Sequence, residues 1–126
     1  MVGIVLISHS KVLAEGAAEL VGQIAGGAKV LPAGGTEDGR LGTSTDLIAA
    51  AIRGVDTGDG VLLIPDLGSS VLSAKAVLAE LDDPSIHLAD APFVEGAVSA
   101  GVAASIGADL AAVGKAAEEA RDARKL

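Results

Sequence analysis

Apolar and polar positions alternate along this chain in two periods. Val2 to Ile7 is a continuous apolar run, the pattern of a strand buried on both faces. Leu13, Ala17, Leu20, Val21 and Ile24 then recur at helical spacing until Gly26-Gly27 stops the helix. Lys29 to Leu31 reads as a short second strand closed by Pro32, and Ala33 to Gly42 as a long glycine-rich loop. A second helix follows, with Thr43, Ser44 or Thr45 as its cap, Asp46 in its first turn, and Leu47, Ile48, Ala51, Ile52 and Val55 on one face. Gly58 to Gly60 turns the chain into a third strand, Val61 to Ile64. Pro65-Asp66-Leu67-Gly68-Ser69-Ser70 leads into a helix carrying Val71, Ala74, Val77, Leu78 and Leu81 on one side. Ser85 to Leu88 is a weaker fourth strand. Helical sequence resumes from about Val94, and a charged amphipathic helix is expected from about Asp109 to Arg124.

This order, βαβαβαβαα, predicts an α/β fold: a three-layer, doubly wound sheet of four parallel strands in the order 2-1-3-4. The 126 residues show no shift in composition, so residues 1–126 are read as one domain. In that strand order the connections after strands 1 and 3 leave on opposite faces, and their ends flank a crevice. Ser8-His9-Ser10 follows strand 1 and Asp66 to Ser70 follows strand 3, so both junctions converge there.

Composition removes options. Phe93 is the sole aromatic, so the core must come from many small contacts. The net charge of −8 argues against a nucleic-acid partner, whose phosphates need a basic surface. With no cysteine and two histidines far apart, neither thiol chemistry nor a metal site is expected. The first apolar run is too short to enter a membrane and no basic segment precedes it, which fits a cytoplasmic protein. G-x-x-x-x-G-K-[ST] and G-x-G-x-x-G are absent, and no cofactor is expected.

His9 is the candidate for chemistry near neutral pH. A carboxylate accepting from its Nδ1–H would leave Nε2 as a nucleophile and stabilise the positive charge the ring gains on attack. Asp66 stands where such a carboxylate is needed. Ser10 and the amides of Gly68, Ser69 and Ser70 offer donors for an anion. Each residue also has a plainer explanation. A histidine at a strand end also caps helices, Asp after Pro65 is also a turn residue, and Thr43 and Ser44 are also helix caps. His87 reads as structural, Glu95 as a first-turn residue, and Lys11 as a solvated charge.

Val5-Leu6-Ile7-Ser8-His9-Ser10, Leu41-Gly42-Thr43, Asp66-Leu67-Gly68-Ser69-Ser70, Ala91 to Ala97 and Gly107-Ala108-Asp109 occur in order and nearly end to end. In these segments the chain resembles the DhaM family, the mannose-type IIA-like phosphoryl-donor subunits of dihydroxyacetone kinase. The resemblance implies that His9 takes a phosphoryl group from the phosphocarrier HPr as a tele-phosphohistidine. The group then passes to ADP on a DhaL subunit, and the ATP formed phosphorylates dihydroxyacetone on DhaK. It implies that Asp66 orients His9, that Thr43 and Ser69 line the phosphoryl site beside the donor candidates Ser10 and Gly68, and that the protein is a homodimer acting only with its partner subunits. A swapped C-terminal strand is not expected, because that end reads as helix. Some relatives continue into HPr-like and enzyme I-like domains, so a chain complete at Leu126 is expected to draw on a separate HPr. A sugar-transporting IIA component, handing phosphate to a IIB protein, and a non-catalytic regulatory module are the rival readings.

Overall fold

The computed structural model describes residues 1–126. The elements run β1 (Gly3–Ser8), α1 (Lys11–Ile24), β2 (Lys29–Gly34), α2 (Thr45–Val55), β3 (Val61–Pro65), α3 (Gly68–Leu81), β4 (Ile86–Leu88), α4 (Phe93–Ser105) and α5 (Leu110–Glu119). The four strands form one parallel sheet in the order β2-β1-β3-β4, as the hydrophobic pattern predicts.

Strand alternation divides the apolar side chains between two cores. Val2, Ile4, Leu6, Leu62 and Ile64 face α1, α4 and α5; Val5, Ile7, Val61 and Leu63 face α2 and α3. The helical layer against the first core is built from small side chains: Ala17, Ala97, Ala100, Ala104 and Ala117, with Val21 and Val113. Such a layer fills space only if the helices approach closely. At Gly101 an added Cβ would lie 2.5 Å from Val21 Cγ1, so that glycine lets α4 close on α1. This supplies the close packing that a chain with one aromatic residue needs.

Two boundaries differ from the sequence expectation. Pro32 does not close β2, which continues to Gly34 with Pro32 in register opposite Leu6. The strand lies at the sheet edge with one flank unpaired, where a residue without an N–H is tolerated. The last helix is shorter than expected, ending at Glu119 and tightening into a 3-10 turn over Ala120–Asp122. Arg121 bends back there, with Nε on the Glu118 carbonyl at 3.0 Å and the guanidinium on the Asp90 carbonyl. No helix is long and apolar enough to cross a membrane.

Candidate active site

The site forms where β1 and β3, paired side by side, release their chains at the same end of the sheet. Their register puts Ile7 opposite Pro65, and the Asp66 amide donates to the Ile7 carbonyl at 3.0 Å. Ser8 and Asp66, and then His9 and the start of α3, are therefore brought together by the sheet itself. Two further backbone bonds fix the neighbouring loop. The Gly35 amide donates to the Ser8 carbonyl at 3.1 Å, and the Gly42 amide to the His9 carbonyl at 2.9 Å. Gly34 permits this closeness, since a Cβ there would lie 2.5 Å from the Ser10 carbonyl oxygen.

Asp66 is the hub, with its side chain only 8% exposed. Its Oδ1 accepts from the Ser70 hydroxyl at 2.6 Å and from the Leu67 amide at 2.7 Å. Its Oδ2 accepts from the Ser8 hydroxyl at 2.7 Å and from the His9 amide at 3.3 Å. Burial pushes the Asp66 carboxyl up, but the bonds from Ser70, Ser8, Leu67 and His9 together outweigh it and hold the group below the usual carboxylate range. The residue is thus kept ionised.

His9 is held on both ring nitrogens. Nδ1 lies 3.1 Å from Ser70 Oγ and 3.3 Å from Asp66 Oδ1, while Nε2 contacts the Ser69 hydroxyl. A carboxylate on the Nδ1 side favours the tautomer with its proton on Nδ1 and the lone pair on Nε2. The ring is a quarter exposed, and Ser69 beside Nε2 is exposed. Nε2 therefore faces a position that another molecule can reach.

The two flanking helices are finished differently. α1 is capped by Ser10, whose Oγ accepts from the Leu13 amide at 3.1 Å. α3 begins at Gly68, and its N-cap residue, Leu67, offers no side-chain cap. The amides of Gly68, Ser69 and Ser70 have no partner in the protein, and the hydroxyls of Ser69 and Ser70 contact the His9 ring. An uncapped N-terminus of a 14-residue helix presents free donors and the positive end of the helix dipole. No cation is ion-paired to Asp66, and the nearby Lys11 and Arg40 pair with Glu15 and Asp38. Unpaired backbone amides and the Ser69 hydroxyl are the donors that this end of α3 offers to an anion.

Among the residues singled out in the sequence, His9, Asp66, Gly68 and Ser69 meet in this cluster. Ser10 is adjacent, but its hydroxyl serves as the cap, with its amide on Ser8 Oγ at 3.0 Å. Thr43 stands one step away, its hydroxyl 2.6 Å from Ser73 Oγ on α3, so it ties the glycine-rich loop to the helix that carries Ser69 and Ser70. The cap of α2 is Ser44, not Thr43 or Thr45. Glu95 lies in the first turn of α4, paired with Lys125 at 3.2 Å. His87 is exposed on β4 with its ring edge toward Gly114. Ser8 and the Ser70 side chain were not legible as site residues; both are fully buried and both bond Asp66. A serine ending an apolar strand is the one signal that pointed to Ser8.

Exposed apolar side chains surround the cluster along the chain. Val12, Leu41, Leu67 and Leu72 are 81%, 80%, 62% and 68% exposed, and each lies within three residues of His9, Gly42, Asp66, Ser69 or Ser70.

Comparison with known proteins shows the family. Residues 3–114 match the family model EIIA-man, described as PTS system fructose IIA component. A Providencia stuartii protein named PEP-dependent dihydroxyacetone kinase, phosphoryl donor subunit DhaM, is 35% identical over 99% of the chain, which spans 28% of that longer protein. A Listeria innocua protein of the same description, numbered 2, is 39% identical over 81% of the chain and 85% of its own length. The crystal structure of the unknown-function protein EF1359 superposes with a TM-score of 0.83 at 34% identity, covering 94% of this chain and 93% of that one. The chain therefore belongs to the EIIA-man family of phosphotransferase-system IIA components, and within it is similar to the DhaM phosphoryl donor subunits of dihydroxyacetone kinase.

Proposed function

We propose that this protein is a phosphohistidine carrier in a phosphotransferase-system-dependent dihydroxyacetone kinase. His9 accepts a phosphoryl group from HPr and delivers it to ADP on a DhaL subunit, and the ATP so formed phosphorylates dihydroxyacetone on DhaK. The observation that carries this reading is the division of labour on the His9 ring. Nδ1 faces Asp66 and Ser70, while Nε2 faces Ser69 and the uncapped end of α3.

In the transfer, the Nε2 lone pair forms the new N–P bond as the bond to the donor breaks, and the donor's leaving atom keeps that electron pair. The ring keeps its Nδ1 proton and gains positive charge, which the ionised Asp66 offsets. The phosphoryl oxygens are held by the amides of Gly68, Ser69 and Ser70 and by the Ser69 hydroxyl, which turns from Nε2 to the incoming group. Transfer onward reverses these steps. Thr43 acts through its bond to Ser73, holding the loop against α3. Ser10 contributes by starting α1 beside His9.

The exposure of Val12, Leu41, Leu67 and Leu72, apolar residues close in sequence to the site residues, supports protein partners over a free small substrate. Pairing with a partner's apolar face would exclude water from a phosphohistidine that water otherwise hydrolyses. The name of the relatives supplies the dihydroxyacetone branch. Action as a homodimer in the cytoplasm completes the proposal.

Reconstitution tests it. Phosphoenolpyruvate, enzyme I, HPr and this protein are combined with DhaL, DhaK, ADP and dihydroxyacetone. The relay predicts dihydroxyacetone phosphate only when every protein is present, and none with His9→Ala. Labelled protein that passes phosphate to a sugar-specific IIB component, and not to the kinase subunits, would reassign it to sugar transport. Failure to become labelled while a control carrier is labelled would leave the regulatory module.

A further inference from the structure

Counting donors against lone pairs around Asp66 gives Ser70 a specific task. A carboxylate oxygen accepts about two good hydrogen bonds. Oδ1 already takes the Ser70 hydroxyl at 2.6 Å and the Leu67 amide at 2.7 Å. The His9 Nδ1 contact to the same oxygen is third in line and long, at 3.3 Å. Oδ2 is occupied by the Ser8 hydroxyl and the His9 amide. The nearest acceptor for the ring proton is the Ser70 oxygen at 3.1 Å, whose own proton is directed to Asp66.

We propose that Ser70 is a positioning residue: its hydroxyl accepts from His9 Nδ1–H and donates to Asp66, so that the carboxylate acts on the ring largely through the serine. Ser70 is suited to this. It is fully buried and sits in the first turn of α3, and its hydroxyl reaches back to Oδ1 of Asp66, which precedes the N-cap residue Leu67. Its neighbour Ser69 takes the opposite ring nitrogen, so two consecutive side chains of one helix address both sides of the imidazole. Rotation of the ring away from its productive orientation would break both contacts. No proton leaves the ring in this arrangement: Nδ1 and the serine oxygen keep their protons, and the carboxylate stays ionised throughout.

The inference deepens the phosphocarrier reading and rests on it for its consequence, but its geometry can be read without any donor protein. The full chain is labelled with ¹⁵N-histidine and the two His9 ring shifts are measured near pH 8, unphosphorylated. The wild type is expected to show the Nδ1–H tautomer predominantly. Ser70→Ala is expected to move both shifts toward the average of a mixed tautomer population. It should also slow phosphorylation by phospho-HPr about tenfold with the KM for HPr unchanged. Ser70→Cys, which keeps the side-chain shape with a weak donor, serves if the alanine variant does not fold, and should shift the resonances in the same direction. If the folded Ser70 variant keeps the wild-type ring shifts, Asp66 alone orients the ring and the proposal is overturned. The expected change of ring shifts in the Ser70 variant, with no phosphorylation of any form including the wild type, would instead count against the carrier function and leave the positioning role standing.

Discussion

The Ser8 hydroxyl donates to Asp66 Oδ2 at 2.7 Å across 58 residues of sequence, and the two residues are brought together by the sheet that pairs β1 with β3. Ser8 has no exposed surface, and its oxygen also accepts from the Ser10 amide at 3.0 Å. One buried hydroxyl thus joins the end of β1, the start of α1 and the carboxylate that faces the histidine. Ser8→Ala strands the Ser10 amide and removes a donor from Asp66. It should cost about 1–3 kcal/mol of unfolding free energy, measured by urea denaturation. A loss within experimental error would mean that both groups find other partners.

Asp66→Asn tests the charge rather than the shape. The amide oxygen can still accept from one of the two serines, but the negative charge that balances the phosphorylated ring is gone. Phosphorylation of His9 by phospho-HPr should fall at least about tenfold with the native fold retained by circular dichroism. Unchanged kinetics would remove the role given to Asp66.

The same carboxylate makes stability depend on acid. Its folded value lies below the ordinary value of 3.8, so the unfolded chain binds the proton more readily. The ionised form's contribution is fully present above the unfolded value and is lost as pH falls through the lower folded value. Thermal unfolding from pH 7 to pH 2.5 should therefore show a wild-type advantage over Asp66→Asn that is flat above about pH 5 and shrinks below about pH 4. An advantage that persists unchanged at pH 2.5 would contradict the depressed value.

Much of this was legible in the chain. Strand order and the convergence of His9 with Asp66 follow from hydrophobic periods and the handedness of parallel crossovers. These depend on pattern rather than on individual contacts. Ser8 and Ser70 escaped because a serine beside an apolar strand or in a helix's first turn has many ordinary uses. Their partners lie across the sheet or depend on the rotamer of a buried group. Pro32 misled for a related reason. Its effect on a strand depends on whether that strand is at the edge, which only the assembled sheet decides.

The exposed apolar residues next to the site residues in sequence should matter for partners and little for the fold. Leu67 is 62% exposed, so Leu67→Glu should change stability by no more than about 0.5 kcal/mol. It should weaken the interaction with HPr, seen as a raised KM in the labelling reaction. A normal KM would place the docking face elsewhere.

The site of phosphorylation is the most direct measurement. After incubation with phosphoenolpyruvate, enzyme I and HPr, ³¹P and ¹⁵N spectra of the purified protein should show one acid-labile phosphoramidate, on Nε2 of His9, and none in His9→Ala. A phosphoryl group on Nδ1 would contradict the geometry derived from Asp66, Ser69 and Ser70. One that persists in His9→Ala, on His87 or elsewhere, would contradict the carrier role of His9 itself.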